Sequence, residues 1–497
     1  MIQTTLREAA AWCGSLSFPL VGEAGDIRFA GVSTDTRTIA AGQLFVPLVG
    51  ANFDGHDHLT AAEAAGAAGA LWQSDRPQPE TKLPLILVSD TLAALQKLAE
   101  SYLASIGARV VGVTGSNGKT TTKDLIASVL RTAFKVAKTE GNFNNHIGLP
   151  LTILRAPADT QAFVLEMGMS DRGEISLLTR IAKPNVAVIT NIGESHLLQL
   201  GSRRNIARAK LEIAEGLKTG GALIYNGDEP LLAEELAASP LPAGIGKLTF
   251  GADASCDLRL GAFEGTAEGS RFTAEAGRSG EPSEPGKPGK SSGPAPAEAA
   301  NQPAAPEAVF ELAIPGRHNA LNALAAVAVG RLFGLSDDQI AEGLRSAQLT
   351  GMRIERTAAA NGAAVLNDAY NASPASVRAA IELVASLKAA PGGRKILVLG
   401  DMLELGPDEA EFHAAIGRAV TPDKADLLLA YGPLSANGAR EAEKLLPAGA
   451  VKHYMDKEQL IADLLAKLTP DDLVLVKASR GMKLEEVVYA LQRGAVS

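Results

Sequence analysis

The stretch GVTGSNGKTTTKDLIASVL, residues 112–130, has the composition of a phosphate-binding loop. Gly115 and Gly118 allow the backbone to approach a ligand closely and to point successive N–H groups at one anion. Lys119 adds a positive charge beside them. The apolar residues that follow recur at helical spacing, so a helix should begin near Thr120. Its N-terminus would then carry a partial positive charge at the loop.

This loop predicts a site for a nucleoside triphosphate such as ATP. Lys119 would neutralise the terminal phosphates and Thr120 would bind Mg²⁺. The other residues that we expect to contact ATP are Gly115, Ser116, Asn117, Gly118 and Thr121. The spacing is unusual, because the common motif has a glycine five positions before Gly118 and this chain has Val113 there. The alternative is a glycine-rich turn with an incidental lysine, but the three threonines that follow Lys119 have no packing purpose in such a turn.

Polar side chains follow two further strand-like segments. Glu166 comes directly after the apolar run in AFVLE, and His196 comes shortly after the run in NVAVITNIG. In doubly wound sheets ligands bind at the carboxyl ends of the strands, so both side chains are expected near the phosphate loop. Mg²⁺ prefers oxygen ligands such as a carboxylate, and a triphosphate needs its charge neutralised. The alternatives are a carboxylate that caps a helix and a histidine that satisfies local hydrogen bonds.

Three more segments carry polar residues, each with an ordinary structural alternative. Lys210 lies in GSRRNIARAKLEI, which could be a solvated basic helix face. His318 and Asn319 lie at the start of an apolar helix, which amides can simply cap. The segment AAVLNDAYNASP predicts a strand that ends at Leu366 and a turn that suits a ribose and a purine, or else an Asx-rich turn. Its polar residues are Asp368, Tyr370, Asn371 and Ser373.

Bulk properties limit the class of protein. The chain has 497 residues, 46% of them hydrophobic, so it can bury sizeable cores, and its length suggests about three domains. Apolar strand-like runs separated by helical patterns predict the α/β class. The net charge of −9 and the scattered basic residues offer no cationic face to nucleic acid. Cys13 and Cys256 are too few for a disulfide framework, which favours a cytoplasmic location. We expect no membrane insertion, because no uncharged apolar stretch approaches the roughly 20 residues that a span needs.

One segment breaks the globular pattern. Residues 277–307 contain seven prolines and five glycines and no aromatic or branched aliphatic residue, so we expect disorder. The segment could be a linker between domains. We favour an insertion at the tip of a hairpin within one domain, because Leu258, Leu260 and Phe263 precede it and Phe310, Leu312 and Ile314 follow it as half-buried strands would.

The ordered set of motifs resembles the Mur ligases of cell-wall synthesis. Eight segments occur in the family's order between about residue 31 and residue 490: GVTGSNGKTTTK, EMGMSDRGEI, AVITNIGESH, NIARAKLEI, GRHNALNALAA, NDAYNASP, LGDMLELG and KASRGMKLE. The unusual spacing of the phosphate loop is also typical of this family. The resemblance implies three domains: 1–106 for a UDP-linked substrate, 107–346 as a central P-loop ATPase with a parallel sheet, and 347–497 as a Rossmann-like domain. The apolar runs in RKILVLGD, ADLLLAYG and DDLVLVKA independently predict a parallel sheet in the last of these.

The resemblance also implies roles for individual residues around ATP. Lys119 would clamp the phosphates, and Lys119, His196 and Lys210 form the implied catalytic set. Two Mg²⁺ ions are implied, with ligands from Thr120, Glu166, His196 and Lys210, the last as a carbamate. A neutral lysine that captures CO₂ becomes an anionic oxygen ligand, whereas an ammonium would repel the metal. His318 and Asn319 would lie beside the adenine. Arg353 would reach the γ-phosphate and Asp368 the ribose, with Tyr370 beside the nucleotide.

The same resemblance implies the other substrates. LGDMLELG is similar to the dipeptide-adding branch of the family, and the Asp-Asn-Pro-Arg signature of the branch that adds a diamino acid is absent. The implied reaction joins a UDP-muramoyl tripeptide to D-alanyl-D-alanine through an acyl phosphate, in a monomer whose domains close over ATP. The residues expected to bind these substrates are Ser33, Asp35, Arg37, Asn142, Asn144, Asn145, Asn371, Ser373 and Asp401.

Two other functions are considered. A folylpolyglutamate synthetase would share the central ATPase but lack the uridine-type segment STDTRTI near the N-terminus. A P-loop switch that hydrolyses ATP to move a partner would not need Glu166, His196 and Lys210 together, since a switch needs no second metal. Two positions depart from the family pattern, Ala478 where glycine is common and Leu198 where an acidic residue is common.

Overall fold

The computed structural model describes residues 1–17, 23–266, 269–277 and 308–494. The predicted disordered insertion, 277–307, therefore lies outside the described residues except for Gly277. The strands in these described ranges form one two-stranded sheet and three larger sheets of four, nine and six strands. Each larger sheet falls within one of the three domains expected from the sequence, and the α/β class is confirmed. The exact domain boundaries remain a prediction.

The first part of the chain, within the described residues, forms a small parallel sheet, an antiparallel strand pair and three helices. Its elements are β1 (Gln3–Thr5), α1 (Leu6–Cys13), β2 (Arg28–Ala30), β3 (Val32–Ser33), β4 (Leu44–Phe45), α2 (Leu59–Ala64), β5 (Gly69–Gln73), β6 (Leu85–Val88) and α3 (Thr91–Ile106). Strands β3, β4, β5 and β6 are neighbours in that order and pair in parallel. Gly107, at φ +69°, ends α3 in the left-handed conformation that favours glycine.

The middle part of the chain contains the nine-stranded sheet. Its elements are β7 (Arg109–Thr114), α4 (Lys119–Arg131), β8 (Val136–Lys138), α5 (Gly148–Arg155), β9 (Ala162–Glu166), α6 (Glu174–Ala182), β10 (Val186–Ile189), α7 (Leu197–Leu200), α8 (Arg203–Leu211), β11 (Ala222–Asn226), α9 (Pro230–Ala238), β12 (Gly246–Gly251), β13 (Leu258–Gly265), β14 (Ser270–Ala276), β15 (Ala308–Leu312), α10 (Arg317–Leu332) and α11 (Asp337–Arg345). The strand order is β15-β14-β13-β12-β11-β10-β7-β9-β8.

Burial explains why the central strands read as continuous apolar runs. β7 lies between β10 and β9 and pairs with both in parallel, so helices cover both of its faces. Val110, Val111 and Val113 of this strand are fully buried. The predicted parallel sheet is therefore correct for β8 to β13, whereas β13, β14 and β15 pair antiparallel at one edge.

The last part of the chain forms the six-stranded sheet, with order β16-β17-β21-β18-β19-β20. Its elements are β16 (Glu355–Ala358), β17 (Ala364–Asp368), α12 (Pro374–Ser386), β18 (Lys395–Gly400), α13 (Glu409–Ala419), β19 (Leu427–Tyr431), α14 (Ser435–Ala442), β20 (Val451–Tyr454), α15 (Lys457–Lys467), β21 (Leu473–Lys477) and α16 (Glu485–Arg493). All pairs are parallel except β16 with β17. Short 3₁₀ helices occur at Glu23–Asp26, Gly55–His58, Glu212–Gly216, Gly406–Asp408 and Arg480–Met482.

Two details of this sheet correct the sequence prediction. β17 does not end at Leu366 but continues to Asp368, because Asp368 stays in register with Lys477 of β21. Pro374 does not merely stop a turn but is the first residue of α12, where a missing N–H costs no helical hydrogen bond. The polar segment 369–373 is thus the connection between a strand end and a helix start.

The strands on either side of residues 278–307 pair with each other. β14 and β15 are antiparallel neighbours, with Ala274 opposite Ala308. The strand before the insertion is β14, not the segment from Leu258 to Phe263, which forms β13 on the other side of β14. This pairing favours an insertion within one sheet over a linker between domains. Among the described helices, none is both long enough and apolar enough to cross a bilayer.

This pairing predicts the effect of removing the insertion. Replacing residues 278–307 with a four-residue turn should leave the turnover rate unchanged. It should leave the melting temperature unchanged or raise it, because the entropic free-energy cost of closing the shorter loop is about 2 kcal/mol lower. Thermal unfolding and turnover of the shortened protein would be compared with those of the full chain. Failure of the shortened chain to fold would contradict the placement within a hairpin.

Candidate active site

The phosphate loop is held in shape by the strand beside it. Gly115 adopts φ +150°, and a Cβ added there would lie 1.8 Å from Thr190 Oγ1, so a side chain at this position would clash. Asn191 accepts from the Ser116 N–H through its main-chain oxygen at 3.0 Å and from the Asn117 N–H through Oδ1 at 2.9 Å. Asn191 lies in the segment AVITNIGESH, but its residue type and spacing did not indicate that it holds the phosphate loop.

Lys119 begins α4 and folds back over this loop. Its Nζ donates to the main-chain oxygen of Gly115 at 2.8 Å, and that of Ser116 lies 3.4 Å away. Burial lowers the pKa of Lys119, while the charge of Glu166 acts in the opposite direction and Arg353 lowers it further. Among the described residues, no carboxylate forms an ion pair with the Lys119 ammonium. Its charge is therefore available to an anion bound in the loop. The first turn of α4 adds N–H groups that have no helical acceptor.

Thr120 and Glu166 meet as the sequence analysis expected. The Thr120 hydroxyl donates to Glu166 Oε2 at 2.8 Å, and both residues are 3% exposed. Asn144, expected to bind the UDP-linked substrate, donates to Glu166 Oε1 at 3.0 Å. The Glu166 N–H donates to Thr139 Oγ1 at 2.9 Å. These contacts fix the carboxylate at the end of β9, beside the start of α4.

His196 and Lys210 complete a group of side chains around Lys119. His196 precedes α7 in the left-handed region, at φ +64°, and its pKa is lowered to about 4 by burial and by the charges of Lys119 and Lys210. Its imidazole is thus neutral at pH 7. Nδ1 is buried without a hydrogen-bond partner among the described residues, although Glu404 Oε2 lies 3.2 Å away in unsuitable geometry.

Lys210 has the environment that a reactive amine needs. The residue is 1% exposed on α8, and burial, followed by the charge of Lys119, lowers its pKa well below the usual value. Among the described residues no carboxylate pairs with its Nζ, unlike the buried Lys123, which lies 3.2 Å from Asp124. A neutral amine is nucleophilic towards CO₂, whereas an ammonium is not.

The metal ligands expected from the sequence do not form a conventional acidic cluster. Within the described residues no three His, Cys, Asp or Glu side chains could hold a metal ion together. The expected set contains one carboxylate and one imidazole, supplemented by a hydroxyl and a lysine. Divalent metal binding here would need further oxygen ligands, which the phosphates of a nucleotide, water or a lysine carbamate can supply.

A cleft between the central and C-terminal sheets contains most of the residues expected to bind ATP. Besides loop residues 116–121, its lining includes His318, Asn319, Arg353, Asp368 and Asn371. Tyr370 is not part of this lining but lies below the Arg353 guanidinium, whose Cζ is 4.3 Å from the ring centroid. Asn319 Nδ2 also donates to the main-chain oxygen of Pro315 at 2.8 Å, so it stabilises the start of α10.

Asp368 has a partner that the sequence analysis missed. Lys477 Nζ lies 2.5 Å from Asp368 Oδ2 and 3.0 Å from the main-chain oxygen of Asn371. The two charged side chains end neighbouring parallel strands and both line the cleft. Lys477 begins the segment KASRGMKLE, whose residue types do not indicate this pairing. Asn322 of α10 lies so close to the loop that a Cβ on Gly118 would be 2.7 Å from its Oδ1.

The expected substrate residues of the C-terminal domain have other contacts. The Ser373 hydroxyl donates to Asn117 Oδ1 at 2.7 Å, which links the start of α12 to the phosphate loop. Asp401 is 2% exposed and accepts from the Ser435 N–H at 2.7 Å and the Leu434 N–H at 3.3 Å. The Asp401 carboxylate therefore orders the loop before α14, and its contact with substrate stays a prediction.

The expected uridine-contacting loop is organised by its own side chains. Asp35 accepts from the Arg37 N–H at 2.9 Å and from Arg37 Nη2 at 2.7 Å, and these hydrogen bonds lower the pKa of Asp35 to about 2. The Ser33 hydroxyl donates to the main-chain oxygen of Asp35 at 3.0 Å. Asn142 is exposed, and Asn145 Oδ1 accepts from the Gly148 N–H at 2.8 Å at the start of α5.

Comparison with known proteins identifies the family of this chain. Three family models match successive parts of it: "Mur ligase family, catalytic domain" at residues 28–103, "Mur ligase middle domain" at 113–330 and "Mur ligase, glutamate ligase domain" at 352–480. A relative from Bacillus subtilis (strain 168), a UDP-N-acetylmuramoyl-tripeptide–D-alanyl-D-alanine ligase, is 47% identical over 94% of both chains. This chain belongs to the Mur ligase family.

Other relatives agree with this Mur ligase assignment. A protein of the same name from Escherichia coli (strain K12) is 33% identical over 95% of both chains. The crystal structure of MurF from Acinetobacter baumannii superposes with a TM-score of 0.82 at 26% identity, covering 99% of both chains. MurF ligase from Thermotoga maritima in complex with ADP gives a TM-score of 0.76 at 28% identity, over 93% of this chain and 97% of that one. A folylpolyglutamate synthase from Mycobacterium tuberculosis, at 16% identity, shares the fold only.

The burial of His318 in the cleft predicts that the stability of this Mur ligase depends on pH. Burial, with Lys477 acting in the same direction and Asp368 opposing it, lowers the pKa of His318 from 6.5 to about 4. Between these values the unfolded chain binds the proton and the folded chain does not, so this residue makes stability fall as the pH drops from about 6.5 towards 4. Melting curves at pH 7 and pH 5 should show a smaller loss for His318→Asn than for the wild type. An equal loss in both proteins would contradict the assigned shift.

Proposed function

We propose that this Mur ligase uses ATP to join D-alanyl-D-alanine to a UDP-N-acetylmuramoyl tripeptide, releasing ADP and phosphate in the synthesis of a peptidoglycan precursor. The observation that carries the choice of substrates is the 47% identity to the Bacillus subtilis ligase of that name over 94% of both chains. The phosphate loop, Arg353 and Asp368 line the same cleft, and this arrangement supports a reaction on ATP.

The chain supplies the parts of an ATP site from two domains. Lys119 and the N-terminus of α4 would hold the terminal phosphates, and Arg353 would add a second positive charge from the C-terminal side. His318 and Asn319 would lie beside the adenine. Asp368, with its partner Lys477, would face the ribose. Because these groups come from both sides of one cleft, movement of the C-terminal domain towards the phosphate loop would exclude water from the reacting atoms.

The side chains present fit the two Mg²⁺ ions that we propose. Thr120 and Glu166 form an adjacent hydroxyl and carboxylate, and the buried Nδ1 of His196 makes no hydrogen bond to any residue that the structure describes. Lys210 is buried with a lowered pKa and would become an oxygen ligand as a carbamate. When bound, Mg²⁺ would neutralise negative charge on the phosphates and the acceptor carboxylate.

The reaction needs the carboxylate of the tripeptide to be activated. One carboxylate oxygen would attack the γ-phosphorus of ATP, the bond to the ADP oxygen would break, and an acyl phosphate would form. The amine of D-alanyl-D-alanine would then attack the carbonyl carbon, lose a proton and expel phosphate. Lys119 and Arg353 would stabilise the charge on the transferred group, and the closed cleft would protect the acyl phosphate from hydrolysis.

The remaining substrate contacts would come from all three domains. Ser33, Asp35 and Arg37, already ordered by their own hydrogen bonds, would contact the uridine. Asn142 and Asn145 would face the sugar and diphosphate, with Asn144 linking them to Glu166. On the C-terminal side Asn371 and Ser373 would lie near the incoming dipeptide. We propose a cytoplasmic monomer that acts on small molecules and not on nucleic acid.

An assay with defined substrates tests this function. The purified protein would be incubated with ATP, Mg²⁺, the UDP-muramoyl tripeptide and D-alanyl-D-alanine, and ADP and the nucleotide-linked product would be measured by chromatography and mass spectrometry. We expect ADP and a UDP-muramoyl pentapeptide in equal amounts, and neither product without the tripeptide. ATP hydrolysis that ignores both other substrates would instead indicate a P-loop switch.

A further inference from the structure

The segment that joins the central and C-terminal domains is tied to the helix of the phosphate loop. Residues 346–354 run from α11 to β16 and include Thr350 and Arg353. The Thr350 N–H and the Thr350 hydroxyl both donate to Asp124 Oδ2, each at 2.8 Å. Asp124 lies on α4, about one and a half turns after Lys119. A short, direct path therefore connects the phosphate loop to the interdomain segment.

The Asp124 carboxylate is a firm anchor for this contact. The residue is 1% exposed. Its Oδ1 accepts from Lys138 Nζ at 2.6 Å and lies 3.2 Å from Lys123 Nζ. Lys123 is itself fixed, because its Nζ donates to the main-chain oxygen of Thr139 at 2.7 Å. Hydrogen bonds to a charged acceptor in a buried site are stronger than those between neutral groups, so Thr350 is held tightly against α4.

Beyond Thr350 the backbone is strained on both sides of Arg353. Met352 adopts φ +61° and Ile354 adopts φ +54°, a conformation that is unfavourable for residues other than glycine and especially for a β-branched one. Such backbone persists only where its surroundings hold it in place. On the C-terminal side the Tyr370 N–H donates to the main-chain oxygen of Met352 at 3.3 Å. On the side of the central domain, Asp124 holds the segment through its hydrogen bonds with Thr350.

The position of this segment decides where Arg353 faces. Arg353 lines the nucleotide cleft and also a second cavity, formed with Pro315, Thr350 and Glu355. Its Nε is buried without a hydrogen-bond partner in the described part of the chain. The charge of Arg353 is close enough to lower the pKa of Lys119. The guanidinium also lies over the Tyr370 ring, with Cζ 4.3 Å from the centroid, so a small shift of the segment would change its position relative to the phosphate loop.

We propose that Asp124 is a positioning residue, which acts through Thr350 to hold the interdomain segment so that Arg353 faces the phosphates of ATP. This inference rests on the proposed function, in which Arg353 stabilises the transferred phosphoryl group. Neither Asp124 nor Thr350 need touch the substrates. Because of the contact between Asp124 and Thr350, the position of the Arg353 guanidinium and the geometry of the phosphate loop depend on each other.

A double-mutant cycle tests the proposal. Thr350→Val removes the hydroxyl donor and preserves the side-chain volume, and it should lower the kcat for ligation about tenfold with little change in the KM for the UDP-linked substrate. In the Arg353→Ala background the same substitution should lower kcat less than about twofold, because the group that it positions is already gone. Equal losses in both backgrounds, or no loss in the wild-type background, would overturn the proposal.

Further variants separate positioning from stability. Thr350→Ser keeps the donor and should restore most of the kcat. Ser128→Ala removes another hydrogen bond of α4, from the Ser128 hydroxyl to the main-chain oxygen of Gly343 at 2.7 Å, and should leave kcat unchanged. Asp124→Asn, provided that its melting curve shows a folded protein, should reproduce the kcat loss of Thr350→Val. Failure of the wild type to ligate would refute the proposed function instead, whereas an active wild type with additive variants would refute only this inference.

Discussion

Replacing Lys119 with alanine should lower the kcat for ligation by about a thousandfold, which is the largest effect that we expect from a single substitution. The reason is electrostatic. Its ammonium folds over the phosphate loop and has no carboxylate partner among the described residues, so nothing else in the loop would replace its charge on the terminal phosphates. Steady-state ADP formation with all three substrates measures the effect.

A surface lysine provides the matched control for this substitution. Lys135 lies shortly after α4 and pairs with Asp159 at 2.5 Å, and both side chains are largely exposed. Lys135→Ala removes the same charge from the same domain and should leave kcat within about twofold, since exposed ion pairs contribute little. If Lys119→Ala retained comparable activity, the loop would not be the site of phosphoryl transfer.

Replacing Lys210 with alanine should lower the kcat at least about a hundredfold and make the remaining activity depend on added carboxylic acids. The substitution removes the amine that we propose to carry the carbamate and leaves space in a fully buried position. Formate or acetate could then supply the missing oxygen ligand. Titration of ADP formation against the added acid measures this recovery, which the wild type should not show.

Arg208→Ala on the same helix is the control for Lys210. Arg208 pairs with Glu235 at 2.8 Å on the outer side of α8, and its side chain is 48% exposed. We expect this variant to keep the wild-type kcat and to be indifferent to formate. Wild-type activity in Lys210→Ala would remove this lysine from the site, and a loss without recovery by either acid would argue against a carbamate.

The sequence predicted the framework of the fold because the framework depends on local patterns. The helical spacing after Lys119 correctly placed α4, and the three apolar runs near the C-terminus correctly predicted parallel strands. The extension of β17 to Asp368 was not predictable in this way. It follows from pairing with β21, more than a hundred residues later, and no local propensity indicates that register.

The candidate site was predicted in part, and the misses share a cause. Thr120 and Glu166 were expected together and do lie in contact, because both end or begin elements at one edge of a sheet. Asn191, Lys477 and Asp124 were not selected, since their importance comes from partners that are distant in sequence. Asp401 illustrates the same limit, because its motif indicated a substrate contact but not the hydrogen bonds that its carboxylate accepts from backbone N–H groups before α14.

The central claim is that ATP activates a carboxylate of the substrate as an acyl phosphate within the cleft of Lys119 and Arg353. The direct test is to run the ligation with a UDP-muramoyl tripeptide whose reacting carboxylate carries ¹⁸O at both oxygens, and to analyse the released phosphate by mass spectrometry. The account predicts that each phosphate formed with the amide product contains one ¹⁸O atom. Amide product accompanied by phosphate without ¹⁸O would contradict it.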